Sequence, residues 1–561
     1  MASRRGARLL AEMLDGYGVD HVFFVPTILS HTLLEMEQRT GISRVVTHGE
    51  KAAAYMADGY GRVSGRPGVC FGQTVGAANL AAGLRDAYMG CSPMIAFTGG
   101  PYTKGPASGR DRNRYQEVND FPIFGAVTKA STRAENIGDL ARSVRQAFRT
   151  ATTDRPGPVH IELPGHLGEE LELVETDEPL LVESQFAAAP PFRSLPDDAS
   201  IASAADLLAT ADRPVLILGG GARLSGAGLA AATLAERHGI PVVTSLNAKA
   251  TIPADHPMNF GVVGAYPRHS TNQLVEEADL ALFVGSKTGS QVTRKWTLPR
   301  PGTTVIQCDV VAADMGINYP NTVSLLGDAR DTLELLTAAL ATGSSVDRTP
   351  WVRRAQELRA DWYTEWTPLL TSEDYPIRPE RLCGEISDHL PSDGILVSDT
   401  GHSGMWTGGY VDLRHGGQDY IRAAGSLGWA FPAALGAKCA EPDRPVVAFT
   451  GDGGFLYHLA EVETAARWGI NAVIVVNNNN SLNQEIGIYT DVYGGTLHGK
   501  HHELWRFEDV NLSEVSRGLG AAAFRVEKPG QIGSAIEAAL EAGRPAVVEV
   551  VTDELVRAPV A

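Results

Sequence analysis

The sequence predicts an α/β protein made of three domains, each containing a doubly wound parallel sheet. Short apolar runs alternate with alanine-rich amphipathic stretches along the 561 residues, which is the pattern of strands alternating with helices. The chain is also too long for one domain of the usual ~150 residues. Two polar, proline-containing stretches, Ser184–Asp198 and Ala341–Pro350, separate segments 1–185, 195–345 and 350–561, and each segment is predicted to be one domain.

The predicted strands are short apolar runs that are rich in valine, isoleucine and leucine. They are His21–Phe24, Val69–Phe71, Met94–Thr98, Val159–Leu163, Val215–Leu218, Leu280–Val284, Thr304–Cys308, Ile395–Ser398, Val446–Phe449, Ala472–Val476 and Ala546–Val551. Amphipathic periodicity predicts helices between them, such as Glu50–Gly61, Ile137–Thr152, Gly226–Gly239 and Leu459–Gly469. Open sheets of this kind place ligands at the carboxyl ends of their strands.

Composition excludes several classes of protein. The formal net charge of −18 offers no basic surface for nucleic acid, and no stretch reaches the ~18 consecutive apolar residues of a membrane span. The first residues are basic, but Glu12 and Asp15 follow, so no secretion signal is predicted. Five scattered cysteines without metal-ligand spacing are expected to be buried free thiols, and the cytoplasm is the predicted location.

The strongest chemical signal follows two predicted strands of the third segment. The strand Val446–Phe449 leads into Thr450 and then Gly451–Gly454 (Gly-Asp-Gly-Gly), and the strand Ala472–Val476 leads into four asparagines, Asn477–Asn480. Small residues after a strand let main-chain N–H groups approach phosphate oxygens. Carboxylate and amide oxygens are ligands that Mg²⁺ prefers, usually together with phosphates. A β-turn and a polar loop are the alternative; a phosphate and metal site is the favoured interpretation.

These two motifs and their spacing resemble the motif of thiamine-diphosphate enzymes of the acetolactate synthase and benzoylformate decarboxylase superfamily. In that family the metal-binding asparagine lies 27 residues after the aspartate, as Asn479 does after Asp452. The resemblance implies that Mg²⁺ is bound by Asp452, Asn479 and the main-chain carbonyl of Ser481. It also assigns three flanking residues to the cofactor: Gly453, Gly454 and Leu482.

A second motif begins at Glu50. The sequence from Glu50 to Gly68 is similar to the family's glutamate motif, in which the glutamate begins a helix and hydrogen-bonds the aminopyrimidine ring of the cofactor. By this resemblance Glu50 activates thiamine, whose carbanion chemistry needs removal of the C2 proton. An acidic residue that merely stabilises a helix N-terminus is the alternative. Gly49 departs from the family, where many members have histidine.

The same segment carries further matches. Arg114–Glu117 resembles a family sequence whose glutamine faces the reacting centre, which makes Gln116 a predicted catalytic residue, with an ordinary loop residue as the alternative. Thr74 and Val75 replace the usual Gly-Pro, and Gly72 stands where the benzoylformate decarboxylase group has its active-site histidine, so aryl-oxoacid decarboxylation is disfavoured. The resemblance also assigns Pro26 and Asn79 to the cofactor.

In the third segment, Asp399–Trp406 and Ala423–Ala437 resemble the sequences that surround the pyrimidine and bend the cofactor. Leu427 is the predicted wedge under the bent cofactor; acetolactate synthases usually have methionine there and benzoylformate-decarboxylase-like members have leucine. A core leucine before a glycine turn is the alternative. The other residues that this resemblance assigns to the cofactor are Thr400, Gly401, His402, Ser403 and Gly425.

The remaining motifs favour weaker predictions. Gly219–Gly221 follows a strand, but an isolated glycine cluster is weak evidence for a dinucleotide, and Gly285–Gln291 differs from the sequence of FAD-binding acetolactate synthases. No flavin is therefore favoured, although some family members bind FAD or a nucleotide there. The histidines His498, His501 and His502 fit a solvated loop or a grip on a substrate carboxylate, and Gln484 and Glu485 are candidate substrate contacts.

The resemblance covers the whole chain and implies a pyrimidine-binding, a central and a diphosphate-binding domain, in that order. It implies thiamine diphosphate and Mg²⁺ as cofactors, and a small-molecule 2-oxoacid and a carbonyl acceptor as substrates. The acyl carbanion left by decarboxylation would be transferred to the acceptor. Alternatives are a 2-hydroxyacyl- or oxoacyl-coenzyme A lyase or decarboxylase, a simple 2-oxoacid decarboxylase, and a non-catalytic regulatory homologue. In the family Glu50 reaches the cofactor of another subunit, so a homodimer or homotetramer is expected.

Overall fold

Three six-stranded parallel sheets form the framework of the protein, one in each predicted segment, as the computed structural model shows for residues 3–104, 114–116, 118–340 and 346–559. The predicted fold class is confirmed. Glu117 of the Arg114–Glu117 sequence and the first five residues of Ala341–Pro350 lie outside the described residues. Within the described ranges, no helix is long and apolar enough to cross a bilayer.

The N-terminal sheet has the strand order β3-β2-β4-β5-β7-β6, and a short antiparallel pair, β1 with β8, lies apart from it. The strands of this segment are β1 (Arg4–Arg5), β2 (His21–Phe24), β3 (Ser43–Val46), β4 (Gly68–Gly72), β5 (Met94–Gly99), β6 (Ala130–Arg133), β7 (Pro158–Leu163) and β8 (Glu175–Thr176). Its helices are α1 (Gly6–Gly16), α2 (Ser30–Arg39), α3 (Glu50–Ser64), α4 (Thr74–Gly90), α5 (Phe121–Phe124) and α6 (Ile137–Thr152).

The central sheet has the order β11-β10-β9-β12-β13-β14, which is the order of dinucleotide-binding folds. Its strands are β9 (Pro214–Leu218), β10 (Val242–Thr244), β11 (Asn259–Val262), β12 (Leu280–Val284), β13 (Thr304–Asp309) and β14 (Val323–Leu326). The helices are α7 (Asp198–Thr210), α8 (Gly220–Leu224), α9 (Gly228–His238), α10 (His269–Glu277) and α11 (Ala329–Leu340).

The C-terminal sheet has the order β16-β15-β17-β18-β20-β19. Its strands are β15 (Ile395–Ser398), β16 (Asp419–Arg422), β17 (Val446–Gly451), β18 (Val473–Asn478), β19 (Ala522–Val526) and β20 (Ala546–Val551). The helices are α12 (Thr349–Leu370), α13 (Pro379–His389), α14 (His402–Tyr410), α15 (Ala430–Ala440), α16 (Asp452–Leu456), α17 (Glu461–Trp468), α18 (Ile486–Val492), α19 (Leu512–Gly518) and α20 (Ile532–Leu540).

The first and third sheets have the same topology. In each, the first strand lies between the second and the third, so the chain reverses its direction of winding between β2 and β4 and again between β15 and β17. A crevice at the carboxyl ends of the strands opens at such a switch point, and ligands bind there. The fold therefore provides two equivalent crevices, and the predicted site residues of these segments follow strands that surround them.

Helices α3 and α15 join the N-terminal and C-terminal segments. Glycines allow their backbones to touch, because a Cβ at Gly59 would lie 2.0 Å from the carbonyl oxygen of Ala433 and one at Gly436 would lie 1.7 Å from that of Met56. Alanines and aromatic residues of both helices form one continuous buried core with the two sheets. The two segments are thus packed against each other within a single chain.

Helix α12 connects the central and C-terminal segments. Trp351 near its start packs in a core with strands of the central sheet, whereas Trp362 packs in a core with strands of the C-terminal sheet. A buried ion pair between Arg268 and Asp412 also crosses this junction, and Tyr363 of the helix donates its hydroxyl to Asp412 at 2.9 Å. The helix shares its hydrophobic surface between two cores.

Candidate active site

Three polar residues follow three neighbouring strands of the C-terminal sheet. Asp399 follows β15, Asp452 follows β17 and Asn479 follows β18, and these strands pair in parallel in that order. Their carboxyl ends meet at one edge, beside the switch point between β15 and β17. The structure therefore brings Asp452 and Asn479 to the same crevice, as the sequence predicts, and adds Asp399.

Asp452 is a buried carboxylate that lacks full compensation. Its side chain is 4% exposed, and Oδ2 has no hydrogen-bond partner among the described residues. Burial raises the pKa of Asp452 to about 7, although main-chain N–H groups of Gly453 and Ser481 lower it in part. An uncompensated buried charge is costly, and a divalent cation at Oδ2 would remove that cost. The carboxylate fits the predicted role of a metal ligand.

The four consecutive asparagines have different partners. Asn477 accepts the hydroxyl of Thr552 at 2.7 Å, and Asn478 donates its amide to Glu549 at 2.7 Å, so both fix the loop to the neighbouring β20 region. Asn479 instead accepts bonds from the N–H and hydroxyl of the adjacent Ser481, at 3.2 and 3.1 Å. The amide oxygen of Asn479 is thus held in the loop beside Asp452 rather than used by the sheet.

Glycines beside Asp452 allow close packing around the crevice. A Cβ at Gly453 would lie 2.7 Å from Leu482, and one at Gly454 would lie 2.6 Å from the hydroxyl oxygen of Thr450. Larger residues would separate α16 from the loop that follows β18. The Gly-Asp-Gly-Gly sequence therefore brings the chain into contact with Leu482, which the sequence also predicts to border the cofactor.

Asp399 is a central residue of the site that the sequence analysis did not assign. Its carboxylate accepts the N–H of Thr400 at 2.8 Å, the N–H of Gly428 at 3.1 Å and the hydroxyl of Thr450 at 3.0 Å. Burial raises the pKa of Asp399 to about 6, despite these donors. The carboxylate joins the segments that follow β15 and β16 to the end of strand β17. Its position directly after an apolar strand was the available signal.

The segment after β15 positions Thr400, Gly401, His402 and Ser403 on the crevice edge. Gly401 has a φ of 64°, a left-handed conformation that favours glycine, and a Cβ there would lie 2.5 Å from Oε1 of the Gln484 side chain. His402 pairs through Nδ1 with the amide oxygen of Asn483 at 2.8 Å. Burial lowers the pKa of His402 to about 4, which keeps its imidazole neutral near pH 7.

Leu427 lies in a loop that is fixed on both sides. The N–H of Ser426 donates to Asp86 at 3.0 Å, and the N–H of Gly428 donates to Asp399. Gly428 has a φ of 84°, whereas Gly425 is exposed with a φ of 156°. The half-buried Leu427 side chain is therefore presented by a rigid turn, as a wedge under a cofactor would require, and its role stays a prediction.

In the N-terminal segment, Glu50 is the first residue of α3. Its Oε2 accepts the amide of Asn79 at 3.2 Å, and a Cβ at Gly76 would lie 2.3 Å from its Oε1. The structure thus brings together Glu50 and Asn79, both predicted cofactor contacts. Pro26 is exposed just after β2. Gln116 is half-buried with a φ of 62°, and its assignment to the reacting centre stays a prediction.

The start of α3 also contacts the C-terminal segment of its own chain. The ammonium of Lys51 lies 5.3 Å from the ring centre of Tyr457, and the rings of Tyr55 and His458 meet edge to face at 5.5 Å. Tyr457 and His458 directly follow α16, the helix that begins at Asp452. Glu50 therefore lies on a helix that packs against the segment directly after α16, the helix that carries the predicted metal ligand Asp452.

A cavity of about 440 Å³ lies at the carboxyl ends of the central strands. Gly219–Gly221 lines it opposite residues of the Gly285–Gln291 sequence, including Ser286 and Lys287. The sulfur of Cys91 lies 3.7 Å from the ammonium of Lys287. Cys91 is half-exposed, which corrects the expectation that every cysteine is buried; the buried free thiols are Cys70, Cys308, Cys383 and Cys439.

The histidines that come after the loop that follows β18 do not form a metal site within the described residues. No group of three or more histidine, cysteine or acidic side chains with metal-binding geometry occurs in the described ranges. The rings of His498 and His501 pack edge-on against Tyr493, and His501 stacks on Trp505. These histidines belong to an aromatic cluster, and their link to a substrate carboxylate stays a prediction.

Family comparisons match all three segments of the chain. The N-terminal TPP binding domain of thiamine pyrophosphate enzymes matches residues 4–122, their central domain matches residues 201–336, and their C-terminal TPP binding domain matches residues 399–550. Thiamine pyrophosphate is another name for thiamine diphosphate. The fold, the crevice and these matches together define a thiamine-diphosphate-dependent enzyme.

Relatives that match most of the chain show which superfamily of these enzymes it belongs to. The chain is 30% identical to a probable acetolactate synthase large subunit of Methanocaldococcus jannaschii over 98% of this chain and 92% of that protein. It is 28% identical to the acetolactate synthase isozyme 1 large subunit of Escherichia coli K12, over 98% and 94%. It is 33% identical to a probable 2-ketoarginine decarboxylase of Pseudomonas aeruginosa, over 85% and 82%. The chain belongs to the acetolactate synthase superfamily of thiamine-diphosphate-dependent carboligases and decarboxylases.

Proposed function

We propose that the chain decarboxylates a small 2-oxoacid and transfers the resulting acyl carbanion to an aldehyde or ketone acceptor, using Mg²⁺ to hold its cofactor. The observation that supports this most strongly is the pairing of Asp452, whose buried Oδ2 lacks a partner, with Asn479 at the adjacent strand end. The relatives named as acetolactate synthases support carboligation over a different fate of the carbanion.

Asp452, Asn479 and the main-chain carbonyl of Ser481 would hold Mg²⁺, which in turn binds the diphosphate. When bound, thiamine diphosphate supplies the electron sink for the carbanion that decarboxylation leaves. Glu50 would hydrogen-bond the ring nitrogen of the aminopyrimidine and share a proton with it, which would favour the tautomer in which the cofactor supplies its own base. Asn79 holds the Glu50 carboxylate in place from the other side.

Several further residues position the cofactor and substrate in this proposal. His402 is a proposed neighbour of the diphosphate, but its Nδ1–H donates to the amide oxygen of Asn483, so the neutral imidazole has only the acceptor Nε2 left. Leu427 supports the bent cofactor, and Gln116 faces the reacting carbon. The remaining proposed cofactor contacts are Pro26, Thr400, Gly401, Ser403, Gly425, Gly453, Gly454 and Leu482.

A decarboxylase that ends in protonation is the second candidate. The similarity to a protein named as a probable 2-ketoarginine decarboxylase favours it, because the same carbanion is then protonated instead of transferred. A lyase or decarboxylase of acyl-coenzyme A is a third candidate. Glu50, Asp452 and Asn479 are all present, and each is buried or half-buried, which argues against a non-catalytic homologue. Product analysis with a panel of oxoacids and acyl-coenzyme A compounds distinguishes these candidates.

The active unit in this proposal is a homodimer or homotetramer in which Glu50 serves the cofactor held by another subunit. Helix α4, which carries Asn79, supports this because it presents a row of small and apolar exposed residues. Val75 is 54% exposed and Met89 is 45% exposed, with Ala78 and Ala82 exposed between them. Small residues let two helices approach closely, and a twofold axis would place the same face of a second copy there.

The proposed cofactor set does not include a flavin, because Gly285–Gln291 lines the central cavity with small and polar side chains and departs from the sequence of FAD-binding relatives. If denaturing the purified protein released a flavin, recognised by its visible absorption band, the proposal of a flavin-free protein would be wrong.

The proposed domains are residues 1–185, 195–345 and 350–561. The proposed location is the cytoplasm, which the five free thiols support.

Asp452→Asn keeps the size of the side chain but removes its charge. We expect the variant to lose the Mg²⁺-dependent binding of thiamine diphosphate, measured by calorimetry, because an amide is a much weaker ligand for a hard cation. The affinity should fall by at least about 10²-fold, in the range of losses seen at metal sites. Asp443→Asn, on the exposed turn before β17, is the matched control. Equal cofactor affinity with and without a chelator would contradict the metal assignment.

Glu50→Gln keeps the size of the side chain but can no longer hold the proton at the pyrimidine nitrogen. We expect exchange of the thiamine C2 proton with deuterium to slow by about 10²–10⁴-fold, the contribution of a positioned acid or base, while cofactor affinity stays within a few-fold. Quenched-flow exchange read by NMR measures this. Glu37→Gln on the neighbouring α2, where the glutamate side chain is 59% exposed, is the control. Unchanged C2 exchange in the Glu50 variant would refute its assigned role.

A further inference from the structure

The residues that lead into Glu50 are held by a helix of the C-terminal segment in the same chain. Glu461, at the start of α17, accepts the main-chain N–H of His48 through Oε1 at 3.0 Å. Glu463 lies 2.8 Å from the imidazole of His48, and Arg467 donates to the carbonyl oxygen of Val46 at 3.0 Å. Three side chains of α17 therefore hold the segment between β3 and the predicted activating glutamate.

Glu461 is the buried member of this group. Its side chain is 2% exposed, and its second oxygen accepts the hydroxyl of Thr464 at 2.7 Å. Burial raises the pKa of Glu461, and the Thr464 and His48 donors oppose that rise. A buried carboxylate costs free energy unless it is hydrogen-bonded. Among the bonds found within the described ranges, the His48 N–H is the donor that Glu461 receives from outside its own helix.

The start of α3 needs such an external contact. Its N-cap residue, Gly49, has extended backbone angles and no side-chain capping bond. Glu50 meanwhile fits closely against Gly76, where even a methyl group would lie 2.3 Å from Oε1. Without a local cap, the position of the first helical residue depends on tertiary contacts. The bond from His48 to Glu461, two residues before Glu50, is one that fixes the main chain itself.

We infer that Glu461 is a positioning residue for the activating glutamate: it fixes the main chain at His48, and thereby aims the Glu50 carboxylate. This rests on the proposed function, in which Glu50 hydrogen-bonds the cofactor. Because a misplacement of 1 Å can cost about 10²-fold in rate, an anchor two residues away affects catalysis without touching cofactor or substrate. Glu463 bonds the exposed imidazole of His48 rather than its backbone, so it does not share this role.

The first test uses the apo-protein and needs no turnover. Amide hydrogen exchange followed by mass spectrometry, on peptides that cover residues 46–52, reports the His48 N–H. We expect Glu461→Ala to speed exchange there by about tenfold or more, since the amide loses its acceptor. Glu461→Gln keeps an oxygen for this N–H and should retain protection. Glu463→Gln, two residues away on the same helix, is the matched control and should exchange like the wild type.

The second test uses the full chain loaded with thiamine diphosphate and Mg²⁺. We expect Glu461→Ala to slow exchange of the C2 proton by about tenfold to 10²-fold, with cofactor affinity within a few-fold of wild type and with rescue by Glu461→Gln. If Glu461→Ala does not fold, Glu461→Asp replaces it in this test, because aspartate keeps the charge but has a shorter side chain; the same slower C2 exchange is expected. If Glu50→Gln slows C2 exchange but the folded Glu461 variant exchanges at the wild-type rate, the positioning role of Glu461 is refuted while the proposed function stands. Wild-type exchange in Glu50→Gln instead overturns the proposed function.

Discussion

The arrangement of the site depends on the cost of burying the Asp452 carboxylate without a full set of hydrogen-bond donors. One of its oxygens is buried without a hydrogen-bond partner in the described structure, a condition that proteins avoid unless a charge compensates it. The strand ends on either side supply Asn479 and Asp399, but Asp399 is already occupied by four donors. In the proposed site, Asp452 and Asn479 would therefore be the metal ligands, and a hard cation that also binds phosphate would compensate the buried charge.

The repeated topology explains why two distant motifs belong to one chemistry. The first and third sheets have the same strand order, so each forms a crevice at its switch point, one carrying Glu50 and the other Asp452. The α3–α15 contact and the His48–Glu461 bond lock these halves together within a chain. Because α17 follows α16, the proposed anchor of Glu50 and the proposed metal ligand Asp452 lie on consecutive helices.

The sequence was sufficient to predict the inner strands of the three sheets, except the short β10, but it did not predict the strands at the sheet edges. Every predicted strand lies inside a sheet, whereas β3, β6, β11, β14, β16 and β19, all at sheet edges, were not predicted. Edge strands are half-exposed and lack continuous apolar runs, and β10 has only three residues. In the candidate site, Asp452, Asn479 and Glu50 could be predicted because their motifs resemble those of the family, and these assignments stay predictions. Asn483 and Glu461 act through contacts with residues far away in the sequence, which no local pattern reveals. Asp399 had one local signal, its position directly after an apolar strand.

The central claim is that one active site combines Glu50 of one chain with Asp452 and Asn479 of another. The most direct test combines two inactive variants, Glu50→Gln and Asp452→Ala, that carry different affinity tags. Heterodimers with one subunit of each variant are purified through both tags, and their C2 exchange is measured. In a heterodimer, the site with the intact metal motif receives intact Glu50 from the other chain, so one of the two sites should work, giving about half of wild-type exchange per dimer. Heterodimers with no exchange above that of the two parent variants would contradict the claim, because each chain would then build its site alone.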